Sequence, residues 1–330
     1  MADSEKIAAY YESEGYKPAK SMEEADVVII NSCSVRESAE NRVFGLINNL
    51  NKQQKTNRSR QKIVLTGCLL RYGKSALQKK LPAVNEFKKA EEFIIPNSSF
   101  IIHNSKPNAL VPIMEGCNNF CTYCVVPYAR GREKSIPFAD IICEVEKLVE
   151  NGTKEITLLG QNVNSYVKDL GVDQTSFAKL LEKLNGIPGL EKISFLTSNP
   201  WDLTDDIIQS IKLPKIDKYL HLPVQSGDNE ILKRMNRHYT VEQYLSLIHK
   251  IRREIPEIKI GTDIIVGFPG ETEEQFQNTV KLCRKVGFVK AYVSMYSPRP
   301  QTAAYKFKDN VPHKEKRRRW LILDRLINHK

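Results

Sequence analysis

Short apolar, β-branched runs alternate along this chain with longer stretches in which apolar positions recur at helical spacing. Residues 4–14 (SEKIAAYYESE) predict an amphipathic helix, and residues 25–31 (ADVVIIN) predict a strand of the kind buried in parallel sheets. Ser34 and Glu37 make an S-x-x-E pattern that predicts a capped helix running to about residue 50. A polar stretch, 51–61, leads to a second apolar run, 62–66 (KIVLT), then Gly67-Cys68 and a further helical segment. Residues 90–112, with Pro96, Asn97, Ser98, Ser99, Asn104, Ser105 and Pro107, read as a linker. Beyond it the alternation resumes. Strands are predicted at 110–114, 155–159, 192–196, 219–222, 258–266 and 290–296, with helices at 139–151, 176–184, 241–254 and 273–286.

This order predicts an α/β protein. An N-terminal open parallel α/β sheet domain would occupy residues 1–105, followed by a partial TIM-like (βα)6 barrel over residues 106–330. In both architectures, ligand sites lie in the loops past the carboxyl ends of the strands.

Composition narrows the class. A hydrophobic fraction of 41% with 27% charged residues fits a globular chain and excludes general disorder. No apolar run is long enough to span a bilayer, and the first residues (MADSE) lack a signal-peptide pattern, so a cytoplasmic location with reduced thiols is expected. The net charge is +11, of which residues 314–319 (KEKRRR) contribute +4. That run reads either as a solvated helix end or as a phosphate-contacting patch.

Seven cysteines in a reducing compartment are candidates for metal binding or catalysis. Cys33 and Cys68 occupy equivalent positions, each just past a predicted strand, and Cys33 is placed at a helix N-terminus, which favours its thiolate. Cys117, Cys121 and Cys124 form C-x3-C-x2-C in the loop after the first barrel strand. The same offsets would share one face of a helix, but Gly116, Asn118, Asn119 and Pro127 make a continuous helix unfavourable there. Three soft thiolates suit an iron–sulfur cluster or zinc. Structural zinc would want a fourth ligand close by, and no neighbouring Cys or His offers one. A 4Fe-4S cluster held by three cysteines keeps one iron free for substrate. Cys143 and Cys283 fall within helical patterns and read as packing residues.

With these motifs in view, the sequence resembles the radical S-adenosylmethionine methylthiotransferases. NSCSVRE (31–37), TGC (66–68), GCNNFCTYCVVPYARG (116–131), GQNVN (160–164), HLPVQSG (221–227), LKRMNR (232–237) and TDIIVGFPGET (262–272) match in order across essentially the whole chain. Within the family, GQNVN, PYARGRE and HLPVQSG resemble the members that act on N(6)-dimethylallyladenosine beside the tRNA anticodon. The alternatives are a methylthiotransferase for threonylcarbamoyladenosine in tRNA and a catalytically incomplete iron–sulfur RNA-binding protein.

The resemblance implies a radical enzyme with S-adenosylmethionine and two 4Fe-4S clusters. One cluster would sit on Cys117, Cys121 and Cys124, and a sulfur-donating one in the N-terminal domain on Cys33 and Cys68. A third N-terminal ligand is expected shortly before the stretch matching Asp3-Ser4-Glu5, where this sequence offers none, and the first strand is expected to be missing with it. The family's C-terminal RNA-binding (TRAM) domain has no counterpart before Lys330. The resemblance also places Gln161, Asn162, Gln225, Ser226 and Tyr123 at the S-adenosylmethionine site; loop-capping amides and a packed aromatic are the plainer readings. The implied partners are the tRNA anticodon loop and an electron donor such as flavodoxin or ferredoxin, with the chain a monomer and no membrane involved. His221 reads as a hydrogen-bonded structural histidine. Arg130, Arg132, Arg234 and Arg237 read as phosphate contacts or exposed ion pairs.

Overall fold

The computed structural model describes residues 2–35, 37–57, 61–93, 107–170 and 175–329. Most of the predicted linker (94–106) and Arg36 of the NSCSVRE motif lie outside them. The chain divides into two compact units, Met1–Asn104 with Tyr128–Gly131, and Ser105–Pro127 with Arg132–Lys330.

The first unit runs α1 (Ala2–Ser13), β1 (Val27–Ser32), α2 (Glu37–Asn57), β2 (Lys62–Gly67), α3 (Lys74–Lys80) and β3 (Glu86–Phe87). Its three strands are parallel, in the order β1-β2-β3. Alternate residues of β1 are buried, whereas β2, the middle strand, buries four in succession. Val28, Ile30, Ile63 and Leu65 of these strands meet Ile47 and Leu50 of α2 and Leu77 of α3 in one apolar cluster. Burying each such side chain contributes roughly 1.5–3 kcal/mol.

Two expectations fail here. The predicted helix does not stop near residue 50: the first residues of the polar stretch from 51 continue α2 as far as Asn57. The helix begins at Glu37, and the Ser34 hydroxyl hydrogen-bonds to the Glu40 carboxylate. Cys33 therefore precedes the first turn of α2 rather than sitting at its N-terminus. Arg71, from the loop after β2, donates to Ser34 Oγ (Nε–Oγ 2.7 Å) and pairs with Glu40 (3.3 Å).

From Asn108 the chain runs β4 (Asn108–Pro112), β5 (Met114–Glu115), α4 (Val126–Arg130), β6 (Lys134–Ser135), α5 (Phe138–Glu150), β7 (Glu155–Leu159), α6 (Phe177–Asn185), β8 (Lys192–Phe195), α7 (Asp205–Ile211) and β9 (Tyr219–His221). It continues through α8 (Asn229–Arg234), α9 (Val241–Glu254), β10 (Lys259–Val266), α10 (Glu273–Val286), β11 (Lys290–Met295) and α11 (His313–Asn328). Parallel strands β4-β7-β8 and β9-β10-β11 are joined by a bridge between Ile193 of β8 and Ile216, just before β9. The result is a six-stranded parallel arc, and among the described residues β4 and β11 do not pair. One face of the arc is apolar and buried, through Ile156, Leu158, Ile193, Phe195, Ile260 and Ile264. Thr240 with Gln243 and Thr272 with Gln275 form capping boxes that start α9 and α10.

Two further expectations are corrected. Cys143 is exposed, because α5 turns Ile141, Val145 and Leu148 inward on its other side; Cys283 is buried, as expected. The basic run 314–319 is not simply a solvated helix end. Arg319 is buried on Glu271 (2.7 Å), Lys316 is buried on Asp309 (2.6 Å), and Arg318 pairs with Glu315 (2.7 Å). Lys314 and Arg317 are exposed. Much of that charge is spent fixing α11 to the barrel.

Candidate functional site

The loop carrying the cysteine triplet is closed at its base by a feature the periodicity did not reveal. Strand β5 pairs antiparallel with β6, Met114 opposite Ser135 and Glu115 opposite Lys134, so residues 116–133 form one excursion from the barrel mouth. Asn118 and Glu133 bond across it, main chain to side chain in both directions (3.3 Å each). The Arg132 guanidinium lies 4.4 Å from the centre of the Phe120 ring. The far side of the loop is pinned by the segment after α8: the Asn236 side-chain amide donates to the Asn119 and Phe120 carbonyls (3.2 Å each), and Thr122 N–H donates to the Met235 carbonyl (3.1 Å). Tyr123 packs on a cluster of Ile231, Met235, Phe268, Tyr296 and Ala304. Its role within the protein is at least that of a wedge between the loop and the barrel.

Cys117 is buried and Cys121 and Cys124 are partly so, with Cys124 N–H donating to the Cys121 carbonyl (2.9 Å). Burial, followed among the raising causes by the Cys121 thiol, pushes Cys117 up to about 11 and Cys124 up to about 12. The Cys117 and Cys124 thiols therefore hold their protons unless a cation replaces them. Among the described residues no three Cys, His, Asp or Glu converge tightly enough for a single metal ion. Three soft thiolates on one loop are a donor set that fits an iron–sulfur cluster.

Four buried polar atoms without a protein partner gather at or just beyond strand ends: Oε1 of Gln161, Oδ1 of Asn164, Oγ of Ser198 and Oε1 of Gln225. Unpaired buried polar atoms cost about 1–3 kcal/mol each, so they fit a site that a polar ligand completes. Gln225 adopts φ +67°, a conformation costly for a residue with a β-carbon, and its main chain is fixed between Asp263 and Ile265 (2.8 and 3.0 Å). Ser226 is buried, with its hydroxyl 3.5 Å from Thr279 Oγ1 and accepting from Asp228 N–H (3.3 Å). Asn162 is fully buried; its amide donates to Asp202 (2.6 Å) and its carbonyl accepts from Asn199 N–H (3.2 Å). Within the chain it therefore braces the loops after β7 and β8. His221 is buried beside Asp263 (3.2 Å) and Tyr219 (3.3 Å), which is the structural histidine expected.

Arg237 departs most from expectation. It is neither exposed nor in an ion pair with a carboxylate. It is buried, with Nη1 3.5 Å from Cys121 Sγ and 3.2 Å from Asn199 Oδ1, Nη2 donating to the Pro223 carbonyl (2.9 Å), and Trp201 stacked 4.5 Å away. No sequence signal set it apart from the other arginines. Arg132 covers Phe120, and Arg130 pairs with Asp3 of its own unit (2.9 Å).

In the first unit, parallel pairing puts Ser32 opposite Gly67, so Cys33 and Cys68 follow from adjacent strand ends. Cys33 is exposed and Cys68 buried, the latter opening a short 3-10 turn, Cys68–Tyr72. Gly67 has φ +85°, and a β-carbon there would strike the Ser32 carbonyl, so only glycine allows the two loops to approach this closely. Arg71, sealed from solvent between Ser34, Glu40 and Tyr72, ties the same two loops together.

Comparison with known proteins adds the following. Residues 111–283 match the model of the radical SAM superfamily, and residues 1–88 match that of uncharacterized protein family UPF0004. A tRNA-2-methylthio-N(6)-dimethylallyladenosine synthase of Clostridium botulinum (strain Langeland) is 46% identical over 99% of this chain and 78% of its own. One of Clostridium perfringens (strain SM101) is 45% identical over 99% and 79%. Among solved structures, a radical S-adenosylmethionine methyltransferase from Kitasatospora setae, with cobalamin and a 4Fe-4S cluster bound, superposes with TM-score 0.60 at 14% identity, covering 90% of this chain and 65% of that one. An apo cobalamin-dependent S-adenosylmethionine radical enzyme superposes with TM-score 0.59 at 10% identity, covering 100% and 52%. At such identities these two speak for the fold alone.

Proposed function

The chain belongs to the radical S-adenosylmethionine methylthiotransferases, and from that premise we propose that it adds a methylthio group to carbon 2 of N(6)-dimethylallyladenosine beside the tRNA anticodon. The observation that carries this reading is the 45–46% identity, over 99% of this chain, with synthases of that name. The cysteine geometry supports it. The target hydrogen, on an aromatic ring carbon, is neither acidic nor displaceable, so acid–base groups alone have little purchase on it. When bound, S-adenosylmethionine and a 4Fe-4S cluster supply one-electron chemistry able to remove such a hydrogen.

The protein's own part is to hold and to exclude. Cys117, Cys121 and Cys124 would ligate three irons of a 4Fe-4S cluster, and this loop offers no fourth cysteine for the remaining one. Gln161 and Gln225 would complete their unpartnered amides on the polar end of S-adenosylmethionine, with Asn162 and Ser226 bracing those loops and Tyr123 wedging the cysteine loop. Cys33 and Cys68 would hold the sulfur-donating cluster. A flavodoxin- or ferredoxin-like donor would supply the electron to a monomeric chain. Among the described residues no helix is long and apolar enough to cross a membrane.

Expression in a bacterium lacking its own methylthiolating enzyme, followed by mass spectrometry of tRNA nucleosides, tests the substrate. Appearance of the 2-methylthio form of N(6)-dimethylallyladenosine is expected; appearance of methylthiolated threonylcarbamoyladenosine in its place would refute it.

A further inference from the structure

A guanidinium remains charged at any pH a protein experiences, and a buried charge is tolerated only opposite a counter-charge. The other buried arginines described above obey this with carboxylates: Arg71 faces Glu40 (3.3 Å) and Arg319 faces Glu271 (2.7 Å). Arg237 is buried to 7% exposure, and its hydrogen-bonding neighbours are the Pro223 carbonyl, Asn199 Oδ1, the Tyr239 hydroxyl and Cys121 Sγ, none of them a carboxylate. The only one of these that becomes an anion on binding iron is Cys121.

We propose that Arg237 is the built-in counter-charge of the cluster held by Cys117, Cys121 and Cys124, and that its N–H···S contact with Cys121 raises that cluster's reduction potential. This rests on the reading of those cysteines as cluster ligands. Reduction by one electron, drawn from a low-potential donor such as dithionite or a flavin or iron–sulfur protein, adds one negative charge to the cluster. A fixed positive charge at hydrogen-bond distance from a ligand sulfur stabilises the more negative, reduced form by more than the oxidised form. Charge, sulfur hydrogen bonds and burial are the protein's main controls over such potentials. Arg237 is in this sense a positioning and tuning residue: it touches a ligand sulfur rather than substrate. Its placement is over-determined by the Trp201 face and the Pro223 carbonyl, which hold the guanidinium where the charge is needed.

The test uses the full chain carrying Cys33→Ala and Cys68→Ala, so that only one cluster contributes, reconstituted anaerobically without S-adenosylmethionine. Iron content and an EPR-monitored redox titration with dithionite are measured for this parent, for Arg237→Gln, and for Asn199→Asp. The last keeps the guanidinium in place but supplies a carboxylate that neutralises it. Iron of about four per chain in the parent is expected; its absence would overturn the ligand reading itself. With iron bound, Arg237→Gln is expected to lower the reduction equilibrium about tenfold, a shift of about 59 mV to more negative potential for one electron. Asn199→Asp should move in the same direction. If Arg237→Gln loads iron and titrates with the parent, the proposal is wrong. If Arg237→Gln fails to fold or load, an unchanged potential in Asn199→Asp overturns it.

Discussion

The two cysteine sets of this protein are built in opposite ways. Cys117, Cys121 and Cys124 come from one loop of eight residues, closed by a short antiparallel ladder and shielded from water. Cys33 and Cys68 lie 35 residues apart in sequence and become neighbours only because β1 and β2 pair in parallel, with Ser32 opposite Gly67. The first set is held on one short loop, which the segment after α8 pins to the barrel. The second needs a sheet, a glycine that lets two loops meet, and the buried Arg71–Glu40 pair to hold them. Local sets tolerate distant damage, whereas sets assembled by a sheet inherit every weakness of that sheet.

The largest effects should separate the sets by chemistry. Replacing Cys117, Cys121 and Cys124 together by Ala is expected to remove about four irons per chain and all reductive cleavage of S-adenosylmethionine, read as loss of 5′-deoxyadenosine. Persistence of deoxyadenosine in that variant would dissolve the distinction. Cys33→Ala or Cys68→Ala should instead leave deoxyadenosine formation within a fewfold of the parent and abolish methylthiolated nucleoside.

A smaller, structural effect tests the sheet dependence. Gly67→Ala forces a side chain into positive φ and against Ser32, at a cost of about 1–3 kcal/mol or more. In hydrogen exchange, the amides of β1 and β2 should lose protection while those of β7 and β10 keep theirs. Equal loss in both units would show that the sets do not rest on separate supports.

The mildest prediction concerns helix α5. Burial pushes Glu144 of α5 up from 4.5 to about 7, and its Oε1 has no partner. The native state then binds more protons than the unfolded state between about pH 4.5 and 7, so stability falls as pH rises through that window, and the full penalty applies above it. Glu144→Gln should raise stability by about 2 kcal/mol at pH 8 and by almost nothing at pH 4, measured by denaturant titration. A gain independent of pH would mean that the carboxylate is not the cause.

These contrasts also explain what could be read in advance. The six barrel strands and the helices at 241–254 and 273–286 are local patterns, since alternation and helical period are satisfied within a few residues of themselves. The triplet was legible for the same reason. The burial of Arg319 and the tie between Ser34 and Arg71 were not, because each depends on a partner far along the chain: Glu271 is 48 residues from Arg319, and Arg71 is 37 from Ser34. The β5–β6 ladder was too short to carry a period.

By itself, then, the sequence determined the α/β order, the ligand types and their spacing, since covalent proximity and helical or strand period are written in neighbouring residues. Only the tertiary structure decided that Cys33 and Cys68 end adjacent strands, which glutamines keep unpartnered amides, and that Arg237, one arginine among many, is buried against Cys121. Those facts turn on which distant groups exclude water together, and burial is a property of the packed molecule, not of any segment within it.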